Sequence, residues 1–220
     1  RASKAIGFAV YLDTLERFGD EGDGYDVDVL LLYDNDTPAS EVIKAAKNLK
    51  LICIFATGFD NIDIKTAREQ GVAVCNVPGY STDSVALFTI ANVLSLYTHL
   101  REYNEYVTSG EYSKSGIPNK LTPVYHEIKG KTWGIIGLGN IGRAVAEVAK
   151  ALGAKVIANK RTPVEDYECV DVDTLCKESD IITIHCPLSD ESRNLINKDK
   201  IDLMKKNGKR ACHTVQKPLK

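Results

Sequence analysis

The chain has 220 residues, 44% hydrophobic and 26% charged, with a net charge of −2. That balance is ordinary for a globular protein of one large or two small domains, and it points to neither nucleic acid nor an anionic membrane as a partner. The longest apolar stretches, such as "VALFTIANVL", fall far short of the roughly 20 residues that a membrane-spanning helix needs. No signal peptide is visible, although the chain begins at Arg1 without Met. The six cysteines form no C-x-x-C pair, and several sit in apolar runs ("LICIF", "VAVC"). The expected setting is a reducing cytoplasm, with no metal site.

Short apolar runs alternate with helical patterns along the chain. "AIGFAVYL" is a candidate for a first strand, and the irregular "DTLERFGDEGDGYD" follows it. "DVDVLLLY" and "LKLICIF" read as buried strands with the helix "SEVIKAAKN" between them. "KTAREQG" is a short helix stopping at Gly71, and "VAVCNV" is the next strand. Strand, helix, strand, repeated, predicts an α/β domain with a parallel sheet. From Ser84 to about Tyr106 the pattern is that of one long helix, apolar in its first half and polar in its second, as expected of a helix leaving one domain for another. The Gly-, Ser- and Pro-rich "TSGEYSKSGIPNKLTPVYHEIKG" reads as a loop. Three segments are expected: a first α/β domain over 1–96, a second over 97–207, and a tail over 208–220 that breaks the pattern.

"KTWGIIGLGNIGRAVAEVAKALGAKVIANKRTP" carries the most information. Gly137, Gly139 and Gly142 make G-x-G-x-x-G, a weak motif alone, but here "TWGII" is a strand entering the turn. Ile141, Val145, Val148 and Leu152 form an apolar stripe on the helix leaving it, and Gly153 stands where a left-handed C-cap belongs. The first glycine permits a tight turn, the second lets the backbone approach a pyrophosphate at the helix N-terminus, and the third lets helix and strand pack closely. After the second strand, where NAD-binding proteins place an Asp or Glu for the adenine ribose, this chain has Lys160, Arg161 and Thr162. At 4 Å and an effective dielectric of 20, two unit charges interact by about 4 kcal/mol before salt screening. The two cations would attract the 2′-phosphate of NADP, and Thr162 could donate a hydrogen bond, so NADP is expected over NAD. A solvated loop with two cations is the alternative.

Four stretches, "TGFDNIDI", "NVPGYSTDSVA", "GKTWGIIGLGNIGRAVA" and "LCKESDIITIHCPLSDESRNLIN", make the chain from about Asp28 to Asn207 resemble the D-isomer-specific 2-hydroxyacid dehydrogenases. The resemblance implies a flavodoxin-like substrate domain joined to a Rossmann-type dinucleotide-binding domain, here incomplete. It also implies hydride transfer between a nicotinamide cofactor and a small 2-keto or 2-hydroxy acid, and a homodimer once complete. It gives the backbone of Thr57 and Gly58 the substrate carboxylate, and Thr82 the nicotinamide end of the cofactor. It gives the N–H groups of Asn140 and Ile141 the pyrophosphate, and Cys186, Pro187 and Ser192 the adenosine side. Leu87 departs from the Glu usual at that position and leaves the packing there open.

The chemistry of that family also needs an Arg to grip the carboxylate and a Glu–His pair to move the proton. All three lie beyond the segment that aligns. His99, His126 and His185 fall at positions unsuited to a base, and His213 belongs to the tail. "GKRACHTVQKPLK" replaces the apolar strand expected there, as a shifted reading frame, a premature stop or a cloning scar would; a natural short variant is the other reading. A non-catalytic dinucleotide-binding protein and a gene fragment without function are the competing readings. The expectation is that the 220-residue chain reduces no 2-keto acid at a measurable rate. An NADPH-oxidation assay with glyoxylate, hydroxypyruvate and pyruvate checks it, and an ordinary turnover of ~1–10³ s⁻¹ would contradict it.

Overall fold

In a computed structural model of the chain, residues 29–32, 40–59, 61–124, 126–206 and 209–212 are described; "AIGFAVYL" and "DTLERFGDEGDGYD" lie outside them. Two compact units result, Arg1–Tyr80 and Ser81–Lys220. In the first, strands β1 (Val29–Leu32), β2 (Leu51–Ile54) and β3 (Ala73–Cys75) are parallel, in the order β1-β2-β3. Helices α1 (Ser40–Ala45) and α2 (Ile64–Glu69) form the crossovers, which parallel strands require. Leu30, Leu32, Ile43, Ile52, Ile54, Ala67 and Val72 make the core. Asp63 starts α2: its carboxylate accepts from the Ser40 hydroxyl at 2.5 Å and from the backbone N–H of Thr66 at 3.0 Å. These bonds, the Ser40 one foremost, hold its pKa down at about 2. Gly71, at φ 70°, ends the helical stretch, the left-handed position that glycine takes without strain.

The second unit is a five-stranded parallel sheet. Its strands are β4 (Thr132–Ile136), β5 (Lys155–Asn159), β6 (Glu168–Cys169), β7 (Ile181–Ile184) and β8 (Lys209–Cys212), in the order β6-β5-β4-β7-β8. This is a doubly wound sheet whose winding reverses at β4. The helices are α3 (Thr82–Tyr97), α4 (Leu100–Thr108), α5 (Glu111–Ser115), α6 (Asn140–Ala151), α7 (Val172–Glu178) and α8 (Lys198–Leu203). One core joins Ala86, Ile90, Val93 and Tyr97 of α3 to Val145, Ala146 and Ala149 of α6 and to Trp133 and Ile135 of β4. A second joins Ile136 of β4, Ile157 of β5, Leu175 of α7 and Ile182 of β7. Burial on both faces explains why "TWGII" and "IITI" are almost wholly apolar.

The structure departs from the sequence reading in five places. The long helix is two helices: Thr98 closes α3, its N–H and hydroxyl both bonded to the Leu94 carbonyl, and His99 turns left-handed at φ 53°. Packing gives the reason. The buried stripe at 86, 90, 93 and 97 ends there, and α4 has no buried residue to keep it on the same axis. The loop from 108 contains a short helix, α5. The compact units divide between Tyr80 and Ser81, ahead of the expected change after residue 96, because the apolar half of α3 packs on α6. The stripe expected on α6 is only partly the buried face. Val145 is buried, but Val148 and Leu152 are 39% and 37% exposed, and Gly142, Ala146 and Ala149 take the inward positions. Small residues let this helix lie close to the sheet.

Finally, the segment expected to break the pattern continues it at first: Lys209–Cys212 pairs with β7, Ile181 opposite Lys209 and Ile184 opposite Cys212. Ladder pairing is made by backbone groups, and β8 is an edge strand among the described residues, where Lys and Arg are tolerated. Leu87 is 72% exposed on α3, so its exchange for Glu touches no core.

Trp133 and Thr183 are both fully buried, and the indole N–H donates to the Thr183 hydroxyl at 3.1 Å. Thr183→Val keeps the shape and leaves that N–H unpaired. It is expected to lower the unfolding free energy by about 1–3 kcal/mol, read from the midpoint of a urea titration with an unchanged slope.

Candidate dinucleotide site

The site is built where the winding of the sheet reverses. Two backbone bonds bring the ends of the central strands together, Gly137 N–H donating to the Asn159 carbonyl at 2.9 Å and His185 N–H to the Ile136 carbonyl at 2.7 Å, and α6 opens with Arg143 N–H donating to the Gly139 carbonyl at 2.9 Å. The C-terminal ends of β4, β5 and β7 and the first turn of α6 thus share one edge of the sheet, where doubly wound folds hold their ligands.

The three glycines have three different reasons to be glycine. Gly137 has φ 91°, and a Cβ there would lie 2.5 Å from the Cys186 nitrogen. Both the turn and the approach of β7 exclude a side chain. A Cβ at Gly142 would collide with the Gly137 carbonyl oxygen, so this glycine sets how close α6 comes to the turn. Gly139 is unlike both: its φ is −87°, and no heavy atom lies within 4 Å of where a Cβ would stand. Nothing inside the protein demands a glycine there. A bare backbone with open space before it, at a helix N-cap, is what a ligand approaching residue 139 would need.

The N-terminus of α6 points the same way. Helices α2, α7 and α8 are capped by Asp63, Asp171 and Asn197, each accepting from a backbone N–H three residues on. Helix α6 starts at Gly139 with no side-chain cap, as α3, α4 and α5 also do, but unlike those three it has no acidic residue in its first turn. Asn140 and Ile141 open that turn. Uncapped N–H groups and the positive end of a 12-residue helix form an anion site. The residues fit a dinucleotide pyrophosphate.

The other expected residues fall at three places in this unit and one in the other. Lys160, half-buried, and Arg161 and Thr162, exposed, follow directly on β5; among the described residues neither cation is in an ion pair. Cys186 and Pro187 follow β7, with Cys186 against Gly137. Ser192 holds the loop behind them: its hydroxyl donates to the Pro187 carbonyl at 2.7 Å and accepts from the Ser189 N–H at 2.7 Å. The space between Cys186, Pro187, Ser192 and Leu195 is about 10 Å³, too small for more than a single water. Thr82 is the half-buried first residue of α3.

Thr57 and Gly58 belong to the first unit, exposed at the end of β2. The Asn76 amide donates to the Thr57 carbonyl at 2.7 Å, the Thr57 hydroxyl to the Val77 carbonyl at 3.3 Å, and Val77 N–H to the Ala56 carbonyl at 3.1 Å. This clip to the end of β3 is absent from the sequence reading. A concavity of about 430 Å³ in the same unit is lined by Phe59, Ile64, Arg68, Val72, Val74 and Asn76. It lies beside the clip and contains neither Thr57 nor Gly58. Among the described residues no group of three His, Cys, Asp or Glu could hold a metal ion, and no helix is long and apolar enough to cross a membrane.

Sequence reasoning also missed the contacts behind Lys160–Thr162. Arg143 of α6 donates to Asp166 at 2.5 Å, and the buried Tyr167 donates from its hydroxyl to Glu147 at 2.5 Å. Burial foremost, then the Glu147 carboxylate, pushes the Tyr167 phenol up to about 12. Lys150 lies 3.8 Å from the centre of the Tyr167 ring. Arg143, Glu147 and Lys150 recur at helical spacing, the one signal that could have announced this face. Asn159 closes the base of the connection by donating to the Val170 carbonyl at 2.9 Å.

The sheet order, the glycine turn and the uncapped helix together define a Rossmann-type dinucleotide-binding unit. Residues 90–209, more than half of the chain, match the family model of the D-isomer specific 2-hydroxyacid dehydrogenase, NAD binding domain. The chain belongs to that family. It is 40% identical over 183 residues to a hydroxypyruvate reductase of Thermotoga maritima, covering 82% of this chain and 58% of the relative. It is 39% identical over 189 residues to a glyoxylate reductase of Thermococcus litoralis, covering 83% and 57%. Among solved structures, a D-lactate dehydrogenase from Aquifex aeolicus complexed with NAD and lactic acid superposes with a TM-score of 0.74 at 33% identity, covering 81% of this chain and 54% of that one. An acyclic imino acid reductase in complex with NADPH and D-Arg gives 0.71 at 29%, covering 80% and 56%. The chain thus spans less than two thirds of the length of these relatives.

The roles of the glycines separate in a pair of variants. Gly139→Ala is expected to leave the melting temperature unchanged and to weaken NADPH and NADH alike by about tenfold, the size of one lost charge-assisted hydrogen bond. Gly137→Ala is expected to cost about 1–3 kcal/mol in stability from its backbone angle alone. Thermal unfolding and cofactor titration by fluorescence read both.

Proposed function

We propose that this chain holds the cofactor and the substrate carboxylate in an NADP-preferring D-2-hydroxyacid dehydrogenase reaction, hydride transfer between a nicotinamide and C2 of a small 2-keto or 2-hydroxy acid. The observation that carries the reading is Gly139: a glycine with open space before it, at an uncapped helix N-terminus, beside two glycines that internal packing explains. The cofactor supplies or accepts the hydride. The residues of the chain bind and orient. Asn140 and Ile141, through their N–H groups, and the backbone of Gly137, Gly139 and Gly142 hold the pyrophosphate. Thr82 meets the nicotinamide end, and Cys186, Pro187 and Ser192 the adenosine side. The backbone of Thr57 and Gly58 takes the substrate carboxylate, an anion that a turn of main-chain groups suits whatever its side chains.

Lys160, Arg161 and Thr162 assign the 2′-phosphate. They stand where β5 ends, next to the glycine turn, and no carboxylate takes the place of the one that would receive the ribose of NAD. The relatives include one solved with NAD and one with NADPH, so the choice rests on these three residues. The same reading places the protein in the cytoplasm and makes it a homodimer once complete; Phe88, Leu96, Leu100, Leu121 and Val124 are exposed apolar residues available to such contacts.

Titration of both cofactors tests the reading. NADPH is expected to bind more tightly than NADH, the difference shrinking as salt rises. Lys160→Asp is expected to reverse the order, because it removes an attraction, adds a repulsion and gives the ribose hydroxyls an acceptor. Equal affinities in the wild type, or NADH favoured, would show that the three residues face solvent. Sedimentation of the same samples reads the assembly state.

A further inference from the structure

The segment Lys160–Tyr167, "KRTPVEDY", carries two cations and two carboxylates. Taken alone it has no net attraction for a phosphate. Its second carboxylate, Asp166, is four residues past Thr162. The structure shows what becomes of it. Arg143 Nη1 donates to Asp166 Oδ2 at 2.5 Å, and Nη2 stands 3.5 Å from the other oxygen. The guanidinium also lies 5.5 Å from the centre of the Tyr167 ring. Tyr167 is 7% exposed and fixed by its bond to Glu147, so the backbone next to Asp166 is anchored and the carboxylate is presented to Arg143 in a set place. Arg143 itself is on the first turn of α6, three residues after Asn140.

We propose that Arg143 is a specificity-determining residue for the adenine ribose: by occupying Asp166 it cancels that carboxylate and leaves Lys160 and Arg161 opposed only by Glu165, a net positive charge for a 2′-phosphate to meet. The proposal rests on the assignment of Lys160–Thr162 to the ribose. It adds a residue from the other side of the glycine turn, and it gives the helix that faces the pyrophosphate a second task. Arg143 need not touch the cofactor, so it is a positioning and screening group. An exposed ion pair adds little to stability, and both side chains here are partly exposed, 39% for Arg143 and 54% for Asp166. The pair is therefore better explained by what it does to the local potential than by what it does for the fold.

The test compares dissociation constants of NADPH and NADH for the wild-type chain, Arg143→Gln, Arg143→Lys and the double variant Arg143→Gln/Asp166→Asn, in the same buffer. Arg143→Gln uncovers Asp166 and is expected to lower the NADPH-to-NADH affinity ratio on the order of threefold or more, with NADH affinity and melting temperature nearly unchanged. Arg143→Lys keeps the charge and is expected to keep the ratio. The double variant removes the uncovered carboxylate and is expected to regain the wild-type ratio. Three outcomes would overturn the proposal: an unchanged ratio in Arg143→Gln; an equal loss for both cofactors, which marks a purely structural role; or a ratio that stays low in the double variant, which means Arg143 touches the phosphate directly. A wild type that prefers NADH would sink the assignment of Lys160–Thr162 instead, since the shift caused by Arg143→Gln is read relative to the wild type whatever its starting value.

Discussion

The contact on which the second unit depends is the approach of three backbones at Gly137. The turn after β4 passes so close to Cys186 at the end of β7 that no Cβ fits, and the first turn of α6 passes so close to Gly137 that none fits at Gly142. The approach has two effects. It joins the sheet to the helix without side chains between them, so the helix N-terminus is brought to the sheet edge with its N–H groups outward. It also sets Cys186 and Pro187 beside the same turn. The small residues Ala146 and Ala149 farther along α6 continue the same close packing.

Capping and first-turn charge together set α6 apart, since the other uncapped helices, α3, α4 and α5, carry an acidic residue in the first turn. Three helices of this chain solve the problem of their unpaired N–H groups with an Asp or Asn, the ordinary solution. The helix after the glycine turn has Gly139 instead. A cap there would occupy the positions that an anion needs, so the missing cap and the open space at Gly139 are one feature seen from two sides. Membership of the D-2-hydroxyacid dehydrogenase family agrees with both.

Charge after β5 is arranged in two layers. Lys160, Arg161 and Thr162 come from the end of β5, and Asp166 and Tyr167 return to the face of α6 that carries Arg143, Glu147 and Lys150. The sheet has to bring β5 beside β4 before these residues meet, and Asn159 with Val170 keeps the connection narrow. In the first unit the clip from Asn76 and Val77 to Thr57 and Ala56 has the same character: short polar bonds set the shape of a turn whose own residues are unremarkable in sequence.

What the sequence determined by itself is what depends on local pattern. The strands "TWGII" and "IITI" were legible because burial on both faces leaves them no polar choice. The glycine turn was legible because its spacing, entering strand and leaving helix agree, and the cations after β5 because no Asp or Glu precedes them. The break at His99 was not legible, since the helical pattern runs through it and only the end of the packed stripe on α3 decides where the axis turns. Nor was the inward face of α6, where the close approach at Gly142 selects alanines over the larger Val148 and Leu152. The strand at Lys209–Cys212 escaped because ladder bonds belong to the backbone and leave no mark in side-chain composition. Arg143 and Asp166 are 23 positions apart, and the reason for each lies in the other; only the tertiary structure, which lays the return of β5 across α6, makes them a pair.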